Sequence, residues 1–143
     1  MKQSDRQKAL SSFQRARVLE EANGEYVKCI SCGKIIHVSE ADGGHYEHRQ
    51  NRVTELYPQN VHAQCHTCNR FKNGNLEGYR QGLLDKFGEE YVDDLENLIL
   101  ASKGCDDAIS LCSDEQKELL KRDKDYKEEA TKWRGILRKL KMR

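Results

Sequence analysis

Four cysteines stand in two Cys-x-x-Cys pairs, Cys29-Ile-Ser-Cys32 and Cys65-His-Thr-Cys68. Four thiolates spaced this way close a tetrahedral shell around Zn²⁺ and leave no position open for substrate, so the metal they imply is structural. Gly33, directly after the first pair, supplies the tight turn of a zinc knuckle. The segment between the pairs is too small to bury an adequate core, and metal binding there would supply folding energy. Cys105 and Cys112 lack the spacing and read as free, partly buried thiols.

A second set of residues lies around these pairs. It runs Gly43-Gly44-His45-Tyr46-Glu47-His48-Arg49, then Asn60-Val61-His62-Ala63-Gln64-Cys65, then Cys68-Asn69-Arg70-Phe71-Lys72. In this order it resembles the HNH, or ββα-metal, nucleases. Their pattern is a Cys-x-x-Cys, a histidine at a strand end, an Asn-hydrophobic-x-x-x-Cys, and a Cys-x-x-Cys followed by His or Asn and then x-x-Lys. More narrowly, Gly44-His45-Tyr46, Asn60 to Cys65, Cys68-Asn69-Arg70-Phe71, Gly74-Asn75-Leu76, Tyr79-Arg80 and Gly82-Leu83 are similar to the lambdoid phage NinG family, also called Rap. The resemblance covers roughly residues 26–100. The ligand layout also resembles the phage resolvase endonuclease VII.

The resemblance implies a metal-dependent DNA endonuclease of phage recombination that cleaves branched DNA such as Holliday junctions and displacement loops. Under it, His45 is the general base, because an imidazole is near neutral at cytoplasmic pH. Asn60 holds the loop and helps fix that histidine. Asn69 supplies an amide oxygen to a hard divalent ion, Mg²⁺ or Mn²⁺. Arg49, Arg70 and Lys72 are placed to hold phosphates. One position departs from the pattern: many HNH enzymes have a metal-binding Asp just before the histidine, and here Gly44 stands there. Either His45 itself joins the metal site, or Asp42, His48 or His62 substitutes, with His48 the preferred substitute. Without an added carboxylate the ion would be held loosely, with a preference for Mn²⁺ or a softer ion. The reading from another class is a non-catalytic zinc-knuckle DNA-binding or adaptor protein.

The elements that must position these residues follow from pattern. Residues 2–22 contain neither Gly nor Pro and read as a helix that Asn23-Gly24 ends. Short strands are expected at 26–28 and 34–38, a turn at Asp42-Gly43-Gly44, and a loop or short turn from Asn60 to Cys65. Leu84, Phe87, Tyr91, Leu95 and Leu98 recur at helical intervals, with Gly88 dividing two helices. Residues 104–113 read as a linker and Ser113 to Gln116 as a capping box. A last helix over about 114–141 carries a heptad-like stripe of Tyr126, Ala130, Trp133, Leu137 and Leu140.

The expected fold class is therefore α+β in one domain of 143 residues. An N-terminal helix (1–25) precedes a zinc-stapled ββα-metal core (26–80), and a helical extension with a basic tail follows (81–143). The net charge of +1 hides a division: 81–115 sums to −8 and 116–143 to +6. The basic tail has three readings: a clamp on the DNA backbone, a seam for a homodimer, or a helix packed on its own domain. No apolar run reaches the length of a membrane span, and the first residues lack a signal-peptide core. A cytoplasmic protein is expected, in the host cell if phage-borne.

Overall fold

Helix α1 (Asp5–Glu21) begins at a capping box. Ser4 Oγ accepts from the Gln7 N–H at 3.1 Å, and Gln7 Oε1 accepts from the Ser4 N–H at 2.9 Å. The reciprocal bonds satisfy two donors that a helix start otherwise leaves open. The structure is a computed structural model that describes residues 2–121 and 123–143. Ala9, Leu10, Phe13 and Ala16 of α1 form one core with Ala130 and Trp133 of α6 (Tyr126–Lys141). The Trp133 ring meets Phe13 edge-on at 4.7 Å between centroids.

The single helix expected over 114–141 is two, α5 (Asp114–Lys121) and α6. Residue 122, inside the expected helix, lies outside the described residues. Asp125 caps α6 by accepting from the Glu128 N–H at 3.1 Å. Tyr126, Leu137 and Leu140 of the heptad-like stripe pack beside Trp133 and Ala130 on the α1 core. The stripe thus packs against α1 within the chain, and Lys132, Arg134, Arg138 and Lys139 are exposed.

Strands β1 (Tyr26–Lys28) and β2 (Ile35–His37) form an antiparallel pair with Val27 opposite Ile36. The first cysteine pair sits in the turn between them. Strands β3 (Ala41–His45) and β4 (Val61–Cys65) form a second antiparallel pair, with Asp42 opposite Gln64, Gly44 opposite His62 and His45 opposite Val61. Both were expected to be turn or loop. Asp42-Gly43-Gly44 is strand because its glycines serve close approach, not a turn. A Cβ on Gly43 would lie 2.4 Å from the Gln14 carbonyl oxygen of α1, and one on Gly44 would lie 1.7 Å from Gln64 Oε1. All five residues of β4 are buried, so the alternation that betrays a half-exposed strand is missing.

A π-helical turn (Thr67–Phe71) follows β4, and then α2 (Leu76–Phe87) and α3 (Glu89–Ser102) with Gly88 at φ 91° between them. The segment expected as a linker contains α4 (Asp106–Leu111). Ser113 and Gln116 form the expected capping box, at 3.0 and 3.2 Å. The class is α+β, with two small strand pairs set among six helices in the described residues.

Candidate functional site

The β1–β2 turn and the end of β4 bring all four paired cysteines together. Their sulfurs lie within 4.8 Å of one another, with Cys32 and Cys65 Sγ at 3.8 Å. Zn–S bonds of about 2.3 Å in a tetrahedron give sulfur–sulfur edges of about 3.8 Å, so the set can hold a zinc ion. Backbone and amide donors already face these sulfurs: Cys68 N–H reaches Cys65 Sγ at 3.4 Å and Asn75 Nδ2 reaches Cys68 Sγ at 3.3 Å. Burial and the neighbouring sulfurs push the Cys68 thiol up to about 12. A cation is what would let this thiol ionise near neutral pH. Among the described residues no other group of three His, Cys, Asp or Glu side chains gathers ligand atoms this closely. Cys112 is buried and donates to the Ala108 carbonyl, while Cys105 is exposed.

His45 closes β3. Its Nε2 lies 2.8 Å from the Glu55 backbone oxygen, which can only accept, so Nε2 carries the proton and Nδ1 holds a lone pair. Burial lowers its pKa below the usual 6.5, aided by the charge of Arg49, and the carbonyl and carboxylate of Glu55 only partly offset this. The ring is therefore neutral at neutral pH.

The loop from Tyr46 to Asn60 is folded around Asn60, which is fully buried. Asn60 Oδ1 accepts from the Glu47 N–H at 2.8 Å, and its Nδ2 donates to the carbonyls of Glu47 at 3.0 Å and Thr54 at 3.2 Å. The amide thereby ties both arms of the loop that carries Glu55, and through Glu55 it fixes the ring of His45. The Glu55 side chain is fully buried as well. It accepts from Arg6 Nη2 at 2.8 Å and from the Tyr126 hydroxyl, with Lys124 Nζ at 3.6 Å. Nothing in the sequence pattern around Glu55 marked it.

Asn69 lies in the π-helical turn beside the cysteine cluster. Its Nδ2 donates to Asp42 Oδ2 at 3.0 Å. Arg70 forks onto the same carboxylate at 3.0 and 2.9 Å, and His66 Nε2 stands 3.4 Å from it. The carboxylate brought to Asn69 is Asp42 and not a group at position 44, where Gln64 fills the space. Gln64 donates to Ser31 Oγ and to the Gly74 carbonyl, and its buried Oε1 finds no partner among the described residues. His48, the preferred substitute ligand, is exposed in the loop after β3, where its Nδ1 accepts from the Gln50 N–H at 3.2 Å. His62 is fully buried between Glu21 (2.7 Å) and the Gln59 carbonyl (3.0 Å). The structure links His45 to Asn60 only through the loop that carries Glu55, and it bonds Asn69 directly to Asp42. Asp42 and His45 stand three positions apart, about 10 Å along β3, and alternation turns them to opposite faces. Arg49, Arg70 and Lys72 are exposed.

A sequence model described as "Bacteriophage Lambda NinG protein" matches residues 2–129. The proteins named "Protein ninG" of Escherichia phage lambda and Escherichia phage 933W are each 37% identical to this chain over 97 residues, and that of Salmonella phage P22 is 36% identical. Each match covers 64% of this chain and 42% of the relative, so the chain spans about two fifths of the length of the curated relatives it matches. No solved structure matches. The chain belongs to the bacteriophage lambda NinG family.

Proposed function

We propose that the chain is a metal-dependent DNA endonuclease of the HNH type in which His45 activates water. The observation that carries this reading is the Nε2 bond from His45 to the Glu55 carbonyl. It fixes the tautomer a general base needs, and burial keeps that base neutral. His45 Nδ1 takes the proton of the attacking water, and Asn60 holds the loop that sets the ring. The amide oxygen of Asn69 and the Asp42 carboxylate are hard donors suited to Mg²⁺ or Mn²⁺. An ion there would offset the charge that builds on the phosphate oxygens. Arg49, Arg70 and Lys72 hold the DNA backbone. The resemblance noted in the sequence extends the proposal to branched recombination DNA, in the host cytoplasm.

A second reading is a zinc-knuckle DNA-binding module without catalysis. The opposite facing of His45 and Asp42 along β3 favours it, because one phosphate must be within reach of both. A nicking assay on branched and linear DNA with added Mg²⁺ or Mn²⁺ separates the two. The nuclease reading expects cleavage that falls about 10²- to 10⁴-fold in His45→Ala. It also expects the acid limb of the pH profile below pH 6.5, since the folded protein depresses the pKa of His45. Asn69→Ala should retain zinc and folding and lose activity. Wild type that binds DNA and cuts none of it under either metal would leave the binding module standing.

A further inference from the structure

Phe71 is 81% exposed, whereas Phe13 is fully buried and Phe87 is 37% exposed. It is the last residue of the π-helical turn, two positions after Asn69, with Arg70 before it and Lys72 after it. Both flanks are anchored. On one side Arg70 is forked onto Asp42, and Cys68 is held in the sulfur cluster. On the other, Asn73, Gly74 and Asn75 have φ of 50°, 84° and 42° in succession. Two of these are not glycine, and such left-handed residues persist only where their surroundings hold them. Here Asn75 N–H bonds the Lys72 carbonyl at 2.8 Å, and Gln64 Nε2 bonds the Gly74 carbonyl at 2.7 Å. The ring is presented outward from a backbone fixed on both sides.

We infer that Phe71 is a stacking platform for an unpaired DNA base, with Lys72 and Arg70 taking the adjoining phosphates. The charge around the ring selects this occupant. An apolar protein surface closing over Phe71 would desolvate Lys72 and Arg70 together, whereas a nucleotide offers a π-face to the ring and an anion to the cations. Asp42, the acid beside the turn, is bonded by Arg70 through Nε and Nη2, which leaves Nη1 of that fork for a phosphate. Bases inside a duplex are stacked on their neighbours, so a protein platform favours positions where pairing has failed. That gives the chain a means of preferring branched DNA which reads no sequence, because every base has a π-face.

The inference rests on the DNA reading above but not on catalysis. Its test is binding, without added Mg²⁺ or Mn²⁺, to two DNA probes: a fully paired duplex, and the same duplex with one unpaired 2-aminopurine. Wild type should bind the second more tightly and quench its fluorescence. Phe71→Ala should bind the unpaired probe roughly tenfold more weakly without quenching it, and should keep wild-type affinity for the paired duplex. Phe71→Trp should restore both signals. Equal binding of the unpaired probe by wild type and Phe71→Ala overturns the inference, and so does an equal loss on both probes, which would make Phe71 a general docking residue. Cleavage, scored separately with metal added, decides the nuclease reading, and stacking without cleavage would leave the platform in place.

Discussion

At the Ala41 end of β3 the chain is held by the cysteine cluster and a small core of Val18, Val27, Ile36 and Ala63, while at the His45 end it is held by a larger apolar core beside one buried carboxylate. Ala41 pairs with Cys65 beside the cysteine cluster, and Asp42 next to it carries the fork from Arg70, which precedes the exposed Phe71. His45 pairs with Val61, which belongs to the α1–α6 core with Phe13 and Trp133. Beside it Glu55 takes Arg6 from α1 and Tyr126 from α6, so both terminal helices bear on the loop that holds the histidine. A small region whose core is a few short apolar side chains and cysteines needs a staple and can then leave polar groups at the surface. A group whose proton must be set needs the opposite: exclusion of water and partners fixed from several elements. Under the proposed function, this divides the work along one strand, with contact to DNA at the first end and the base imidazole at the second.

Breaking the staple should have the largest effect. Cys65→Ser removes a ligand whose loss forfeits most of the folding energy of the site, which in zinc-finger peptides is of order 10 kcal/mol. Elemental analysis should fall from one zinc per chain to none, with a collapsed melting transition. Breaking the other end should look different. Trp133→Ala deletes the ring that meets Phe13 and should cost about 3–5 kcal/mol while zinc stays at one per chain. If Trp133→Ala also released zinc, the two ends would be one cooperative unit and the division would fail.

A third hold lies between the ends. Glu21, at the end of α1, accepts from His62 Nδ1 and from the Ala63 N–H, both at 2.7 Å, and from Lys86 Nζ of α2 at 3.1 Å. Burial alone would raise its pKa, but the bonds and charges of His62, Ala63 and Lys86 win and hold it down to about 2 from an ordinary 4.5. A depressed carboxylate contributes its stability above its unfolded pKa and loses it as pH falls through the folded one. Glu21→Gln should therefore cost about 3 kcal/mol at pH 7. The gap from wild type should shrink from pH 4.5 downward and close near pH 2, as chemical denaturation across that range would show. A gap independent of pH would mean that the amide's shape, and not the charge, carries the contact.

How much of this was visible beforehand depended on whether the cause was local. The cysteine pairs announce the cluster because the ligand spacing lies within one turn of chain, and α1 is legible from a run without Gly or Pro. Strand β3 was hidden because Gly43-Gly44 looks like a turn, and the reasons for those glycines, the Gln14 backbone and the Gln64 amide, are distant in sequence. Without β3 as a strand, Asp42 could not be set opposite Gln64 and beside Asn69. Glu55 gave no sign at all: a single acid among Thr54 and Leu56 becomes the hub of the His45 end only after α1 and α6 close over it.

The smallest expected change in stability tests the first end most directly. Arg70 is 55% exposed in its side chain, and an ion pair so open to water contributes under about 1 kcal/mol. Arg70→Ala should leave the melting transition and the zinc content nearly unchanged. If Arg70 serves the DNA backbone, the same substitution should weaken binding similarly across sequences and reduce the slope of log affinity against log salt by about one. A large loss of stability with an unchanged salt slope would reverse the assignment. The Asp42–Arg70 fork would then be part of what holds the knuckle against β3, and phosphate contact at this end would fall to Lys72.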